Sequence, residues 1–404
     1  MYENSGFSNN KTEKVKKDYI YFDHAATTPV LSEVVARINE CFTKFYGNAS
    51  EPHLPGRNAR EILENSRTSV AEILGAGSSE ITFTSGGTES NNLALFGIAE
   101  AYSKKGNHII TSEIEHPAVL MPLKALSKRG FKITYLPVDC NGQVDPDDVK
   151  KALRAGTILV SVMHANNIVG TVQPISEIGK ILKEKGVIFH TDAVQTFCNI
   201  WTDVNDLGVD LLSISGHKIY GPKGVGALYV RKGTRFVPYI YGGGQEKGRR
   251  SGTENIPGIA GLAKAAEIGF ATLEEKIKRL SEMRDYLKNR ILESIPGVRL
   301  NGHPTERLPG NCNFSFKFIE GEAMVLRLDM AGIAASSGSA CSSSSMKPAH
   351  TLKAMGLSNE EAFGSLRITL GFENSYEELD YFIDELQTII RDLRDISPLY
   401  KNTV

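Results

Sequence analysis

A chain of 404 residues, 41% hydrophobic and 23% charged, is long enough to bury a large core and to divide into two domains. Its formal net charge of −1 argues against a strongly basic nucleic-acid footprint, and no apolar run is long enough to span a bilayer. Five scattered cysteines (Cys41, Cys140, Cys198, Cys312, Cys341) form no C-x-x-C pair, which fits a reducing cytoplasm rather than a disulfide framework or a zinc site.

Residues 1–18 are polar and aperiodic, with no apolar signal core, and are expected to form a mobile tail. A short strand over 19–22 leads into the loop Asp23-His24-Ala25-Ala26-Thr27-Thr28-Pro29. Ser32 is placed to cap a helix running to about 42, and a long amphipathic helix is predicted over 57–74. Then strands and helices alternate. Strands are predicted at 81–84, 108–111, 131–137, 157–164, 187–192, 210–215 and 227–230, with helices at 86–102, 118–129, 146–154 and 175–185. The run from Thr157 to Met163 is T-I-L-V-S-V-M, which does not alternate. Such strands are covered on both faces. The fold class is therefore α/β: a mainly parallel central sheet with helices on both faces, right-handed crossovers and ligands at the carboxyl ends of the strands.

After Asn255 the texture changes. Helices are predicted at 256–273 and 274–294, a strand with one wet face at 311–318, and a helix at 321–330. A loop of small residues over 336–345 contains Cys341. A strand at 366–370 and a helix at 376–392 close the chain. These expectations divide it into a large domain over 19–265 and a smaller α+β domain over 266–404, with the segment to about residue 30 packing on the latter.

The chemistry centres on S-G-H-K-I-Y-G-P-K-G-V-G (215–226), which follows the apolar run Leu211–Ile214. A sheltered lysine that loses its proton forms Schiff bases with aldehydes, although most lysines after a strand are surface turn residues. Thr84-Ser85-Gly86-Gly87-Thr88-Glu89-Ser90 reads as a phosphate cradle at a helix start, or as simple capping by Ser85 or Thr88. His116 follows another strand and can stack on a flat ring, or be polar surface. Asp192 ends a further apolar strand, where a carboxylate needs a partner; a protonated pyridine nitrogen is one, and a helix cap is the alternative. Gln195 can reach a ring oxygen. Pyridoxal phosphate asks for this set: phosphate held, ring covered, nitrogen paired, aldehyde captured.

These residues also carry a resemblance. A-T-T-P (26–29), T-S-G-G-T-E-S-N-N (84–92), E-H-P-A-V-L (115–120), D-A-V-Q (192–195), S-G-H-K-I-Y-G-P-K-G-V-G (215–226), R-R-S-G-T-E-N (249–255), S-S-G-S-A-C (336–341) and S-L-R (365–367) resemble the cysteine desulfurases of the NifS/IscS type. These are class V aminotransferases of the fold-type I pyridoxal phosphate group, and the match runs from about residue 21 to 380. The resemblance implies that Lys218 forms the Schiff base, Asp192 pairs the pyridine nitrogen, Gln195 meets the ring hydroxyl and His116 stacks on the ring. It implies Gly87, Thr88, Ser215 and His217 at the phosphate, with Thr253 supplied by the second subunit of a homodimer. Asn167 and Arg367 would bind the carboxylate of L-cysteine. Cys341 would be the nucleophile that takes sulfur as a persulfide, and could also ligate an iron–sulfur cluster transiently with a partner; no resident metal is implied. An iron–sulfur scaffold, a thiolation relay or a DNA-sulfur-modification system would be the acceptor, with no direct contact to nucleic acid or membrane. The physical reading of 336–345 agrees: a cysteine among small polar residues has little to pack against and makes a good mobile nucleophile. A selenocysteine lyase or related aminotransferase is the alternative, and a docking protein without turnover a third reading. Two positions depart from the family pattern: Ile168, where an acidic residue is usual, and Phe372, often Arg.

Overall fold

The computed structural model describes residues 19–337 and 348–401. Its largest sheet has seven strands in the order Ile81–Thr84, Gly226–Val230, Leu211–Ser215, Ile188–Asp192, Thr157–Ser161, His108–Ser112, Lys132–Leu136. Gly226–Val230 runs antiparallel to both neighbours, and all the others point one way. The reason is chain length: residues 216–225 are too few for a helical crossover, so the strand after Leu211–Ser215 can only return. Lys218 sits in that return.

Successive strand residues feed opposite faces of the sheet. Ile109, Leu159, Leu211 and Leu228 pack with the helices Gly87–Tyr102 and Pro117–Lys128 on one face. Their neighbours Ile110, Val160, Leu212 and Ala227 pack with Leu54–Ile73, Ile175–Lys185 and Ile256–Ala271 on the other. The apolar, non-alternating strands thus have the cause inferred from sequence. Ile256–Ala271 belongs to this core, and no single described helix is long and apolar enough to cross a membrane.

A second core gathers Met283, Leu287 and Ile291 of the helix Leu273–Ser294, Phe314, Phe316, Ile368, and Phe382 and Leu386 of the helix Tyr376–Ile396. It includes Phe22, whose ring meets Phe382 edge-on at 5.5 Å. Its sheet is antiparallel, in the order Ser365–Thr369, Asn311–Phe316, Val298–Asn301. Ile20–Tyr21 pairs in parallel with Ile333–Ala334, so the start of the described chain is stitched to this second core.

Local expectations need three corrections. The helix Ser32–Thr43 has Leu31 at its cap position; Ser32 is already helical and its hydroxyl donates to Glu33. The long helix begins earlier, at Leu54, because His53 caps it by accepting from the Gly56 N–H at 3.3 Å and Pro55 is tolerated in its first turn. The strand Asn311–Phe316 does alternate, but its polar face is not wet. Asn313 and Ser315 are sealed over by Asn301, which donates to both at 2.8 Å.

Candidate active site

A cavity of about 250 Å³ opens at the carboxyl ends of the parallel strands. Its lining includes Gly87, Thr88, His116, Asn167, Asp192, Gln195, Ser215, His217 and Lys218. Residues predicted from separate motifs are therefore brought together by one sheet edge. Thr253 is exposed in a separate loop and does not line the cavity in this chain.

Lys218 donates from Nζ to the carbonyls of Ala25 at 2.5 Å and Ala26 at 2.7 Å. Burial pushes its pKa down to about 8; Arg367 acts in the same direction, while Asp23 and Asp192 oppose it. An amine so placed loses its proton far more readily than an ordinary lysine, which is the requirement for a Schiff-base lysine. A surface turn lysine would show neither the burial nor the shift.

Asp192 ends its strand nearly buried. Its Oδ1 accepts from the Val194 N–H at 3.0 Å and its Oδ2 from the Asn91 amide at 2.6 Å. Burial raises its pKa above the usual carboxylate range, against these donors and the nearby His116 and Lys218. A carboxylate held this way stabilises a cation presented from the cavity. No helix begins after Asp192, so its role is not capping. Asn91, within T-E-S-N-N, carries no chemical signal in its motif alone. It lies one helical turn after Thr88, and that i, i+3 spacing is the signal that places both toward one ligand.

His116 caps the helix Pro117–Lys128 by accepting from the Ala118 N–H at 3.0 Å, and it is exposed at the cavity. Burial of its surroundings holds its pKa below the ordinary histidine value. Behind it, Glu115 accepts from Ser112 at 2.6 Å and from the Met163 N–H at 2.9 Å, tying two strand ends together beneath the ring. Gln195 donates to the Ala25 carbonyl at 3.0 Å.

The phosphate end rests on backbone. The helix Gly87–Tyr102 has Gly86 at its cap position and no side-chain cap, so neither Ser85 nor Thr88 satisfies its first N–H groups. Those donors remain for an anion. A Cβ on Gly87 would stand 2.5 Å from Val194 Cγ2, and one on Gly226 would stand 2.7 Å from Gly86 Cα. Only glycine lets these segments meet. Beside them, His217 faces Thr27 Oγ1 at 3.2 Å. Burial, then Lys218 and Lys223, push its pKa down to about 4, so it is a neutral imidazole at neutral pH. Uncapped helix N–H groups, a glycine cradle, a buried carboxylate and a low-pKa lysine fit pyridoxal phosphate.

Arg367 approaches from the second core. Its Nη2 pairs with Asp23 Oδ1 at 2.7 Å and its Nη1 donates to the Asn167 carbonyl at 3.0 Å. Its Nε is buried with no partner among the described residues. A buried idle donor on a guanidinium suits a carboxylate ligand. Arg367 also exchanges backbone hydrogen bonds with Ser336, at the start of the Cys341 loop. Cys341 itself lies outside the described residues.

The two departures differ in kind. Ile168 is half-buried and packs on the apolar cluster of Val169, Leu352 and Met355. Phe372 lies in a turn and places its ring 5.1 Å from Nζ of Lys276, which the helix Leu273–Ser294 supplies, so an aromatic face meets a cation.

The geometry agrees with what the chain is similar to. A family model described as Aminotransferase class-V matches residues 20–382. A cysteine desulfurase IscS of Dictyoglomus turgidum is 54% identical over 382 residues, covering 95% of this chain and 97% of that one. Among solved structures, a NifS-like protein superposes with a TM-score of 0.87 at 40% identity, over 93% of this chain and 100% of that one. SspA in complex with cysteine superposes with a TM-score of 0.77 at 38% identity, over 87% of this chain and 98% of that one. This chain belongs to the class-V aminotransferase family, among the cysteine desulfurases of the NifS/IscS type.

Proposed function

We propose that this chain converts L-cysteine to L-alanine with pyridoxal phosphate and passes the sulfur to Cys341 as a persulfide. The observation that supports it most is the convergence of Lys218, Asp192 and His116 on one cavity, beside an uncapped helix start. When bound, the cofactor supplies an electron sink for the substrate's α-carbon.

The rest is the work of the protein. The helix start at Gly87 and Thr88, with Ser215 and His217, would hold the phosphate, and Thr253 of a second copy would complete that end. Asp192, kept in place by Asn91 and Val194, would pair the ring nitrogen, Gln195 would meet the ring hydroxyl and His116 would cover the ring. Lys218 takes the α-proton at Nζ and returns it, as a group with a pKa near 8 can do at neutral pH. Arg367 and Asn167 orient the substrate carboxylate, with Arg367 exchanging Asp23 for it. Cys341 Sγ, as thiolate, forms a bond to the substrate sulfur. The electron pair of the broken carbon–sulfur bond stays on the substrate carbon, which takes a proton and leaves as alanine.

The wider reading follows from this chemistry. Sulfur carried on Cys341 goes to an acceptor, an iron–sulfur scaffold or a thiolation relay. The chain works as a homodimer; Tyr46, Tyr239 and Tyr241 are exposed, and residues 49–50 and 244–247 line one concavity near them. The large domain, whose core takes in the whole helix Ile256–Ala271 and so runs past the boundary expected at 265, carries the cofactor, and the smaller domain, joined by Ile20–Phe22, carries the cysteine loop. The four described cysteines are unpaired thiols, in keeping with the cytoplasm.

Incubation with L-cysteine and a reductant tests the proposal. Alanine and sulfide are expected in equal amounts. Cys341→Ser is expected to keep the yellow cofactor band and to make no sulfide. Full sulfide release by that variant would overturn the role of Cys341. Alanine with no persulfide on Cys341 of the native chain would point instead to a lyase.

A further inference from the structure

The loop from Gly242 to Gly252 is closed on itself. The Gly248 N–H donates to the Gly244 carbonyl at 3.2 Å, Ser251 Oγ to the Gly243 carbonyl at 2.8 Å, and the Gly252 N–H to Gln245 Oε1 at 3.0 Å. Inside it Glu246, Lys247 and Gly248 are all left-handed, with φ of 49°, 58° and 76°. Two of the three carry a Cβ, and such a backbone persists only where its surroundings hold it. The chain leaves this loop at Thr253, which is exposed and clear of this chain's own cavity.

Glu246 is what holds it. Its side chain is 3% exposed and pairs through both oxygens with that of Arg67, also 3% exposed, at 2.7 Å each. The pair docks on the open edge of Ile81–Thr84, the outermost strand of the large sheet. Arg67 donates to the Ile81 carbonyl at 3.1 Å, and Glu246 accepts from the Phe83 N–H at 2.8 Å. Together they satisfy that edge as a further strand would. A second carboxylate, Glu64, meets Arg67 at 3.2 Å, so the guanidinium has a counter-charge without Glu246. Two buried charges add little stability over apolar residues of the same size; what this pair adds is one fixed geometry for the loop. The lock reaches Thr253 in a single step: Gln245, next to Glu246, accepts from Gly252, next to Thr253. Arg250, paired with Glu89 at 2.8 Å, ties down the same segment.

We propose that Glu246 is a positioning residue: locked by Arg67 onto the strand edge, it holds the loop that presents Thr253 to the cofactor phosphate in a second copy of this chain. The inference rests on the reading of Thr253 given above and adds to it the device that aims the hydroxyl. A left-handed loop held in advance meets the phosphate without ordering a flexible segment at the moment of binding.

The test titrates the full chain, freed of cofactor, with pyridoxal phosphate and with pyridoxal. Both probes offer the same ring and aldehyde, and only the first carries a phosphate. Glu246→Gln should weaken pyridoxal phosphate about tenfold, the loss of one hydrogen bond to a charged group, and leave pyridoxal unchanged. Thr253→Ala should do the same, and the double variant should bind no more weakly than Thr253→Ala alone. Equal weakening of both probes by Glu246→Gln would overturn the proposal, as would losses that add in the double variant. Unchanged affinity in Glu246→Gln beside a loss in Thr253→Ala would overturn it and leave the reading of Thr253 standing. No loss in Thr253→Ala would overturn both. Should Glu246→Gln not fold, Lys247→Pro decides, since proline forbids the left-handed φ and leaves the ion pair's groups in place; it should reproduce the phosphate-specific loss, and unchanged binding would overturn the proposal.

Discussion

The two halves of the active site are built differently. The cofactor half hangs from one sheet: Asp192 ends a strand of it, and Gly87, His116 and Lys218 each follow one by a few residues. The substrate half is assembled across two cores. Arg367 lies on a strand of the second sheet and meets Asp23, 344 positions away, and the Asn167 carbonyl. The first arrangement is rigid because strand pairing fixes it. The second depends on how the cores meet, and it can rearrange when a substrate carboxylate competes with Asp23. A fixed place for the ring and an adaptable place for the amino acid are what this chemistry needs.

Single substitutions can break this comparison. The largest effect is expected at the substrate half. Arg367→Lys loses the planar fork and should lower kcat/KM for cysteine by roughly 10–100-fold while the cofactor band stays unchanged. Steady-state kinetics beside an absorption spectrum checks both parts. A smaller effect is expected at the cofactor half. Asn91→Ala removes the donor at 2.6 Å from Asp192 and should weaken cofactor binding by roughly tenfold. Equilibrium dialysis of the cofactor measures it, and the KM for cysteine in the saturated enzyme should hardly move. If either variant disturbed both halves equally, the division would be wrong.

The same division explains what sequence could reveal. Apolar runs ending in Gly, His, Asp or Lys announce strand ends, so Asp192 and Lys218 were legible one motif at a time. Their convergence followed from parallel strands alone. The Ala25 and Ala26 carbonyls that hold Lys218 were not legible, because any residue provides a carbonyl. Asp23 stands in a loop of small residues; its partner Arg367 is 344 positions away, and no local pattern links them. Asn91 had a readable signal in its spacing from Thr88. Strand Val298–Asn301 was missed because four residues with Arg and Asn among them give little period. The polar face of Asn311–Phe316 was read as wet because alternation reports which residues share a face, and says nothing of what covers it.

The central claim is that Lys218 carries the cofactor, and this chain contains its own control. Lys218 and Lys276 are both held near pKa 8 by burial, but only Lys218 lines the cavity at the carboxyl ends of the parallel strands. Borohydride reduction of the protein loaded with pyridoxal phosphate, followed by peptide mapping, separates them. The expected result is a single pyridoxyl adduct on Lys218. An adduct on Lys276, or on any other lysine with Lys218 unmodified, would contradict the account.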